Sequence, residues 1–192
     1  MAERAVRFMR LAEFLRWEDG TDTRYELIGG VPTAMAPPAR AHGMLCARLA
    51  GVIDSSLRSR RPCSVQTEAG ILRPDREDTF YVADLAVTCR PYQRGEQMVD
   101  EPILIVEILS PGTERHDRQT KVPAYREIDS VSEILLIDSE SVYAERLWRE
   151  DDRWITELVR GTDAILRISS VDLRIAMAEL YEGIDLGSEN AA

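Results

Sequence analysis

At 192 residues, with 44% hydrophobic and 30% charged side chains, the chain has ordinary globular composition and enough length to bury a sizeable core. No apolar run approaches the roughly 20 residues a membrane-spanning helix needs. The N-terminal stretch, MAERAVRFMRLAEFLRWED, is broken by charges and lacks the roughly 7–15-residue apolar segment of a signal peptide. A cytoplasmic location without membrane contact is therefore expected. The net charge of −10 weighs against a partner held only through its phosphates, because such binding depends on cationic contacts and counterion release. Local clusters such as Arg58, Arg60 and Arg61, or Arg115, Arg118 and Lys121, remain available.

Residues 8–18 read as an amphipathic helix, with Phe8, Leu11, Phe14 and Leu15 on one stripe. Residues 24–36 read as a hairpin whose tight turn is Gly29-Gly30. A longer helix follows over about 40–58, with Leu45, Leu49, Val52, Ile53 and Leu57 on its buried face. Four strand-like stretches come next, at about 63–72, 80–89, 102–109 and 133–138. The third, PILIVEILS, is almost continuously apolar, as a central strand covered on both faces should be. A short helix near 117–128 makes the last two strands a β-α-β crossover. Pro123 requires that helix to begin late or to kink. A second hairpin turns at Glu150-Asp151-Asp152, with Trp148 and Trp154 expected to pair across it, and a weak helix closes the tail before 186–192 frays. The expected organisation is one domain over 1–192, with a core of about 24–140 followed by a C-terminal hairpin and tail over 141–192.

The three cysteines, Cys46, Cys63 and Cys89, form no CxxC pair and are expected to be free thiols in a reducing compartment. No GxxxxGK[ST] loop, GxGxxG fingerprint or GxSxG elbow occurs. With only His42 and His116, a histidine-rich zinc site is not expected.

One acid stands out. Glu107 lies inside the apolar third strand, where a carboxylate is costly unless it is paired, protonated or bound to a metal. Asp84, in YVADLAVT, occupies a neighbouring strand, and two such carboxylates can converge on a hard divalent cation. Asp117, Lys121 and Tyr125 recur at i, i+4 and i+8, so one helical face carries all three toward the same place. Each also has a structural alternative: a paired core acid, a strand-edge aspartate, a solvated lysine.

The order YELIGG, PPARAHG, VADLAV, IVEILSPGTERHDRQTKVPAYRE and EILLID resembles the Uma-two family of restriction-endonuclease-like proteins, within the PD-(D/E)xK nuclease superfamily. The resemblance spans about residues 10–175. It implies an α/β (α+β) restriction-endonuclease-like core: a central mixed β-sheet flanked by helices, with an N-terminal helix-hairpin and a C-terminal hairpin extension. It also implies catalytic Asp84, Glu107 and Lys121, with Mg²⁺ or Mn²⁺ held by Asp84, Glu107 and the Ile108 backbone carbonyl. Glu26, His42, Asp117 and Tyr125 are peripheral site candidates, and DNA is the implied substrate of a homodimeric endonuclease. Ala83 stands where the superfamily has proline, Leu109 where it usually has lysine, and Gly29 and Val31 where relatives carry acids. The rival expectation is a non-catalytic protein-interaction module on the same fold.

Overall fold

The computed structural model describes residues 8–187. The elements in chain order are α1 (Leu11–Phe14), β1 (Tyr25–Ile28), β2 (Val31–Ala34), α2 (Arg40–Leu57), β3 (Ser64–Leu72), β4 (Phe80–Thr88) and β5 (Pro102–Leu109). A composite helix follows: α3 (Glu114–His116), a π-helical turn (Asp117–Lys121) and α4 (Val122–Arg126). The chain continues through β6 (Glu133–Asp138), β7 (Tyr143–Glu150), β8 (Arg153–Arg160), β9 (Ile165–Ile168), β10 (Leu173–Ala176) and α5 (Met177–Leu180). Eight strands form one mixed sheet in the order β2-β1-β4-β5-β6-β7-β8, with β3 also on β4, and β9 and β10 form a separate two-stranded ribbon. The β5–β6 pair is the parallel one, as the crossover requires. Together these features make a restriction-endonuclease-like fold.

The two faces of β5 explain its apolar run. Leu104, Val106 and Ile108 pack on the side of α2, against Leu45, Leu49, Ile53 and Leu57. Ile105 and Leu109 face the opposite side, against Val122, Ala124 and Tyr125 of α4. Burying alternate residues on both faces leaves Glu107 among the second set, pointing toward α4.

How β4 shares its edges positions everything that follows. β3 runs along one edge of β4 from Ser64↔Thr88 to Leu72↔Phe80. The other edge is divided: β5 pairs with it over Leu85–Thr88, and β1 meets it at Leu27↔Phe80. Between these two lies Tyr81–Asp84, a largely buried stretch of strand with no ladder on that side. Glu68, opposite Asp84 on β3, has a φ of +51° and no ladder partner of its own. Side-chain alternation changes phase there: Ala83 and Tyr81 face α4, whereas Leu85 and Val87 face α2.

Several sequence expectations need correction. The first helix is confined to Leu11–Phe14, because the Met9 amide is drawn out to the Gly30 carbonyl at 2.7 Å, and Phe8 is exposed rather than on the stripe. The crossover helix starts early, at Glu114, and widens into a π turn. Pro123 would clash with the carbonyl four residues back, Gln119, which lies within that wider turn. Cys63 and Cys89 form a disulfide rather than remaining free; Cys63 directly precedes Ser64 and Cys89 directly follows Thr88, so the antiparallel Ser64↔Thr88 register sets them opposite one another. Trp148 pairs with Ile155, and Trp154 with Arg149, so the tryptophans lie on opposite faces of the second hairpin. Each packs beneath arginine instead: Arg146 over Trp148 at 4.3 Å, Arg149 over Trp154 at 5.2 Å. The hairpin also continues the main sheet, and the tail contributes β9 and β10 as well as a helix. Of the tail expected to fray, residues 188–192 lie outside the described residues.

Gly70 allows the chain over residues 97–99 to close over β3. A Cβ at this position would lie 2.6 Å from the Phe80 ring and 2.7 Å from the Gln97 carbonyl oxygen. Gly70→Ala is therefore expected to destabilise the fold by about 1–3 kcal/mol, as overpacking does. A thermal unfolding midpoint equal to that of the parent would show that the loop yields without cost.

Candidate active site

The unpaired edge of β4 cannot be left bare, since buried backbone groups without partners are expensive. Side chains take the place of the missing strand. Glu26, from β1, accepts the Val82 amide through Oε1 at 2.9 Å. Glu107, from β5, accepts the Asp84 amide through Oε2 at 3.4 Å. Lys121 donates to the Val82 carbonyl at 3.0 Å. Across the fork, the Ile108 amide donates to Asp84 Oδ2 at 2.6 Å. Each carboxylate is thus fixed by main chain before any ligand is considered.

Lys121 occupies the centre. Its Nζ lies 2.9 Å from Glu26 Oε1, 3.3 Å from Glu107 Oε1 and 3.5 Å from Asp117 Oδ1. Of the chain's 24 basic Lys and Arg residues it is the single lysine; the other 23 are arginines. A compact ammonium with three donors suits this small cage, whereas a planar guanidinium fork does not. Tyr125 completes the far side by donating to Glu107 Oε1 at 2.5 Å. On the opposite flank, His42 Nε2 from the first turn of α2 stands 3.1 Å from Asp84 Oδ1. All seven side chains singled out in the sequence therefore meet at one fork. Glu26 approaches Lys121 more closely than Glu107 does.

The electrostatics follow from burial and crowding. Burial first, then the nearby Asp84 and Asp117 charges, push the Glu107 carboxyl up to about 8 in spite of Lys121. Asp117 is also raised, mainly by burial. For Glu26, burial is outweighed by His116, Lys121 and the Val82 amide, so its carboxyl lies below the usual range. Lys121 is raised: burial opposes its charge, but Glu107, Glu26 and Asp117 together prevail. His42 is raised, chiefly by its bond to Asp84. At neutral pH the fork therefore favours charged Glu26 and Lys121 with a protonated Glu107.

His116 was not singled out as a site residue. Its Nε2 lies 3.4 Å from Glu26 Oε2, and its ring meets the edge of Tyr81. No α-helical periodicity would reveal it, because residues five apart lie about 140° apart around an α-helix. The π turn, closing i to i+5, brings His116 and Lys121 to the same carboxylate.

The mixed sheet flanked by helices, on which this fork lies, is a nuclease-like fold. The family model described as "Putative restriction endonuclease" matches residues 11–178, and the chain belongs to this family, Uma2. Among curated proteins it is similar to the uncharacterized protein slr1290 of Synechocystis sp., 28% identical over 90% of each chain. It is also similar to the uncharacterized protein sll1609 of the same organism, 25% identical over 88% of this chain and 97% of that one. Among solved structures, a "putative nuclease belonging to DUF820" from Anabaena variabilis has the same fold. Its TM-score is 0.72 with 20% identity, covering 90% of this chain and 97% of the other.

The raised carboxyl of Glu107 has a signed consequence for stability. Below about 4.5 it is protonated folded or unfolded and contributes no pH dependence; between 4.5 and about 8 only the unfolded chain ionises. The folded state then binds more protons, so stability falls as pH rises through that window. Lys121, raised above its ordinary value, stays charged throughout and does not offset this slope. In chelator, denaturant midpoints of the parent should decline from pH 5 to pH 8, and Glu107→Gln should flatten the decline. A parent whose stability rises over that range would overturn the assignment of Glu107 as the protonated acid.

Proposed function

We propose that the chain is a metal-dependent endonuclease that hydrolyses DNA phosphodiester bonds. The observation that supports this most is the meeting of Asp84, Glu107 and Lys121 where β4 and β5 part. The donor chemistry fits a small divalent cation. Mg²⁺ is commonly held by one or two carboxylates with water and substrate phosphate rather than by an all-protein cage. Such a cage, of three or more His, Cys, Asp or Glu side chains, is absent among the described residues, and this mode does not require one. Asp84, Glu107 and the Ile108 carbonyl would hold Mg²⁺ or Mn²⁺. Bound there, the ion would lower the pKa of a water and neutralise charge developing on the phosphate.

The protein's own contribution is placement. Asp84 is aimed by the Ile108 amide and by His42. Lys121 is a fixed cation suited to stabilising the pentacovalent transition state or orienting the attacking water. Exposed Arg40 and Arg115, each two residues from His42 or Asp117, are available for backbone phosphates despite the overall charge of −10. A homodimer would present two such sites, as cutting both strands of a duplex often requires.

A second reading, a non-catalytic protein-interaction module, is favoured by the acidic balance and by the closure of the site. Glu107 is 2% exposed and Lys121 5%. Supercoiled plasmid with Mg²⁺ or Mn²⁺ separates the two. The parent should nick it, Asp84→Ala should abolish both nicking and calorimetric metal binding, and Lys121→Ala should keep metal binding while losing turnover. Nicking that persists undiminished in Asp84→Ala would exclude this site, and a fully active Lys121→Ala would exclude the role given to the lysine.

A further inference from the structure

Lys121 has three protons to donate, and the resting structure offers them four acceptors. Glu107 is an unreliable anchor among these. It belongs to the proposed metal site, and its Oε1 already accepts from Tyr125. Asp117 is the most distant of the four, at 3.5 Å. The remaining two form a closed ring. The Val82 amide donates to Glu26 Oε1, Lys121 Nζ contacts the same oxygen, and Nζ donates back to the Val82 carbonyl. Val82 is two residues before Asp84 on one strand, so this ring ties the ammonium to the frame that carries the first carboxylate.

Glu26 is equipped to hold that position. It is 5% exposed, and its second oxygen faces His116, which lies one π turn before Lys121. The carboxylate therefore lies against both ends of the same turn, bonded at the Lys121 end and 3.4 Å from His116 Nε2 at the other. An ordinary α-helical turn would send His116 and Lys121 to different sides of the helix.

We propose that Glu26, braced by His116 across the π turn, is a positioning residue that holds Lys121 at the fork, making the first hairpin part of the active site. The catalytic consequence rests on the nuclease reading above; the anchoring of the ammonium does not. Because Lys121 is the single lysine of the chain, isotopic labelling of lysine gives one side-chain ammonium signal, read directly in the intact protein.

The experiment compares the parent with Glu26→Gln, Glu26→Asp and His116→Gln. In the parent the ammonium signal should be sharp and slow to exchange with water. In Glu26→Gln it should exchange at least about tenfold faster, with the backbone spectrum otherwise retained. Glu26→Asp keeps the charge on a shorter arm and should recover part of the protection; His116→Gln should lose a smaller part. In plasmid nicking, Glu26→Gln should lower kcat about 10²-fold with little change in KM, the loss expected of a misplaced catalytic group. An ammonium signal unchanged in Glu26→Gln would overturn the proposal, as would full nicking activity in that variant. If the parent nicks no DNA, the nuclease reading falls alone, and the ammonium signal still decides whether Glu26 anchors Lys121. If Glu26→Gln loses the fold, Glu26→Asp and His116→Gln decide by the same signal.

Discussion

A buried strand edge with no neighbouring strand is the constraint on which this molecule turns. β3 occupies one side of β4 completely, and β1 and β5 divide the other without meeting. Tyr81–Asp84 is left between them, with Tyr81 and Ala83 buried and Val82 and Asp84 half-buried. Glu26, Glu107 and Lys121 bond its backbone in place of a strand. The charged groups are thus part of the sheet's hydrogen bonding before they are anything else. The carboxylates accept from the strand edge at the fork, and the lysine among them offsets the cost of burying acids. Structure and chemistry make the same demand here, which is why one cluster of side chains satisfies both.

The same constraint explains the irregularities nearby. The phase change at Asp84, the left-handed Glu68 opposite it and the π turn each break a regular element by about one residue. Each break re-aims side chains toward the gap. Regular strands would send Asp84 and Glu107 along the usual alternation, and a regular helix would carry His116 away from Glu26. Irregularities of this kind recur near functional sites, where they redirect a group that periodic structure would misplace.

Much of this was legible in the sequence, and the failures have physical causes. Glu107 announced itself as one acid in an apolar strand, and the order of the motifs carried Asp84 and Lys121 with it. The principal strands were legible because β5 is buried on both faces and its crossover is short. Glu26 was placed at the margin because hairpin periodicity says nothing about which edge of β4 the hairpin meets. His116 was invisible to a 3.6-residue period. The first helix was overread because helical spacing of apolar residues cannot register the Met9–Gly30 backbone bond. The Cys63–Cys89 disulfide follows from strand register rather than from cysteine spacing. The tryptophans fell on opposite faces because their partners, Ile155 and Arg149, alternate along the hairpin.

The solitary lysine has a consequence that reaches beyond the fork. Its ammonium is enclosed, so every basic side chain on the described surface is arginine or histidine. Guanidinium groups keep their protons to about pH 12 and above. Most proteins lose surface cations steadily through the alkaline range as their lysines discharge. This one keeps its 23 guanidinium charges through that range. Reagents that seek primary amines on side chains find only one, and it is behind a wall of carboxylates.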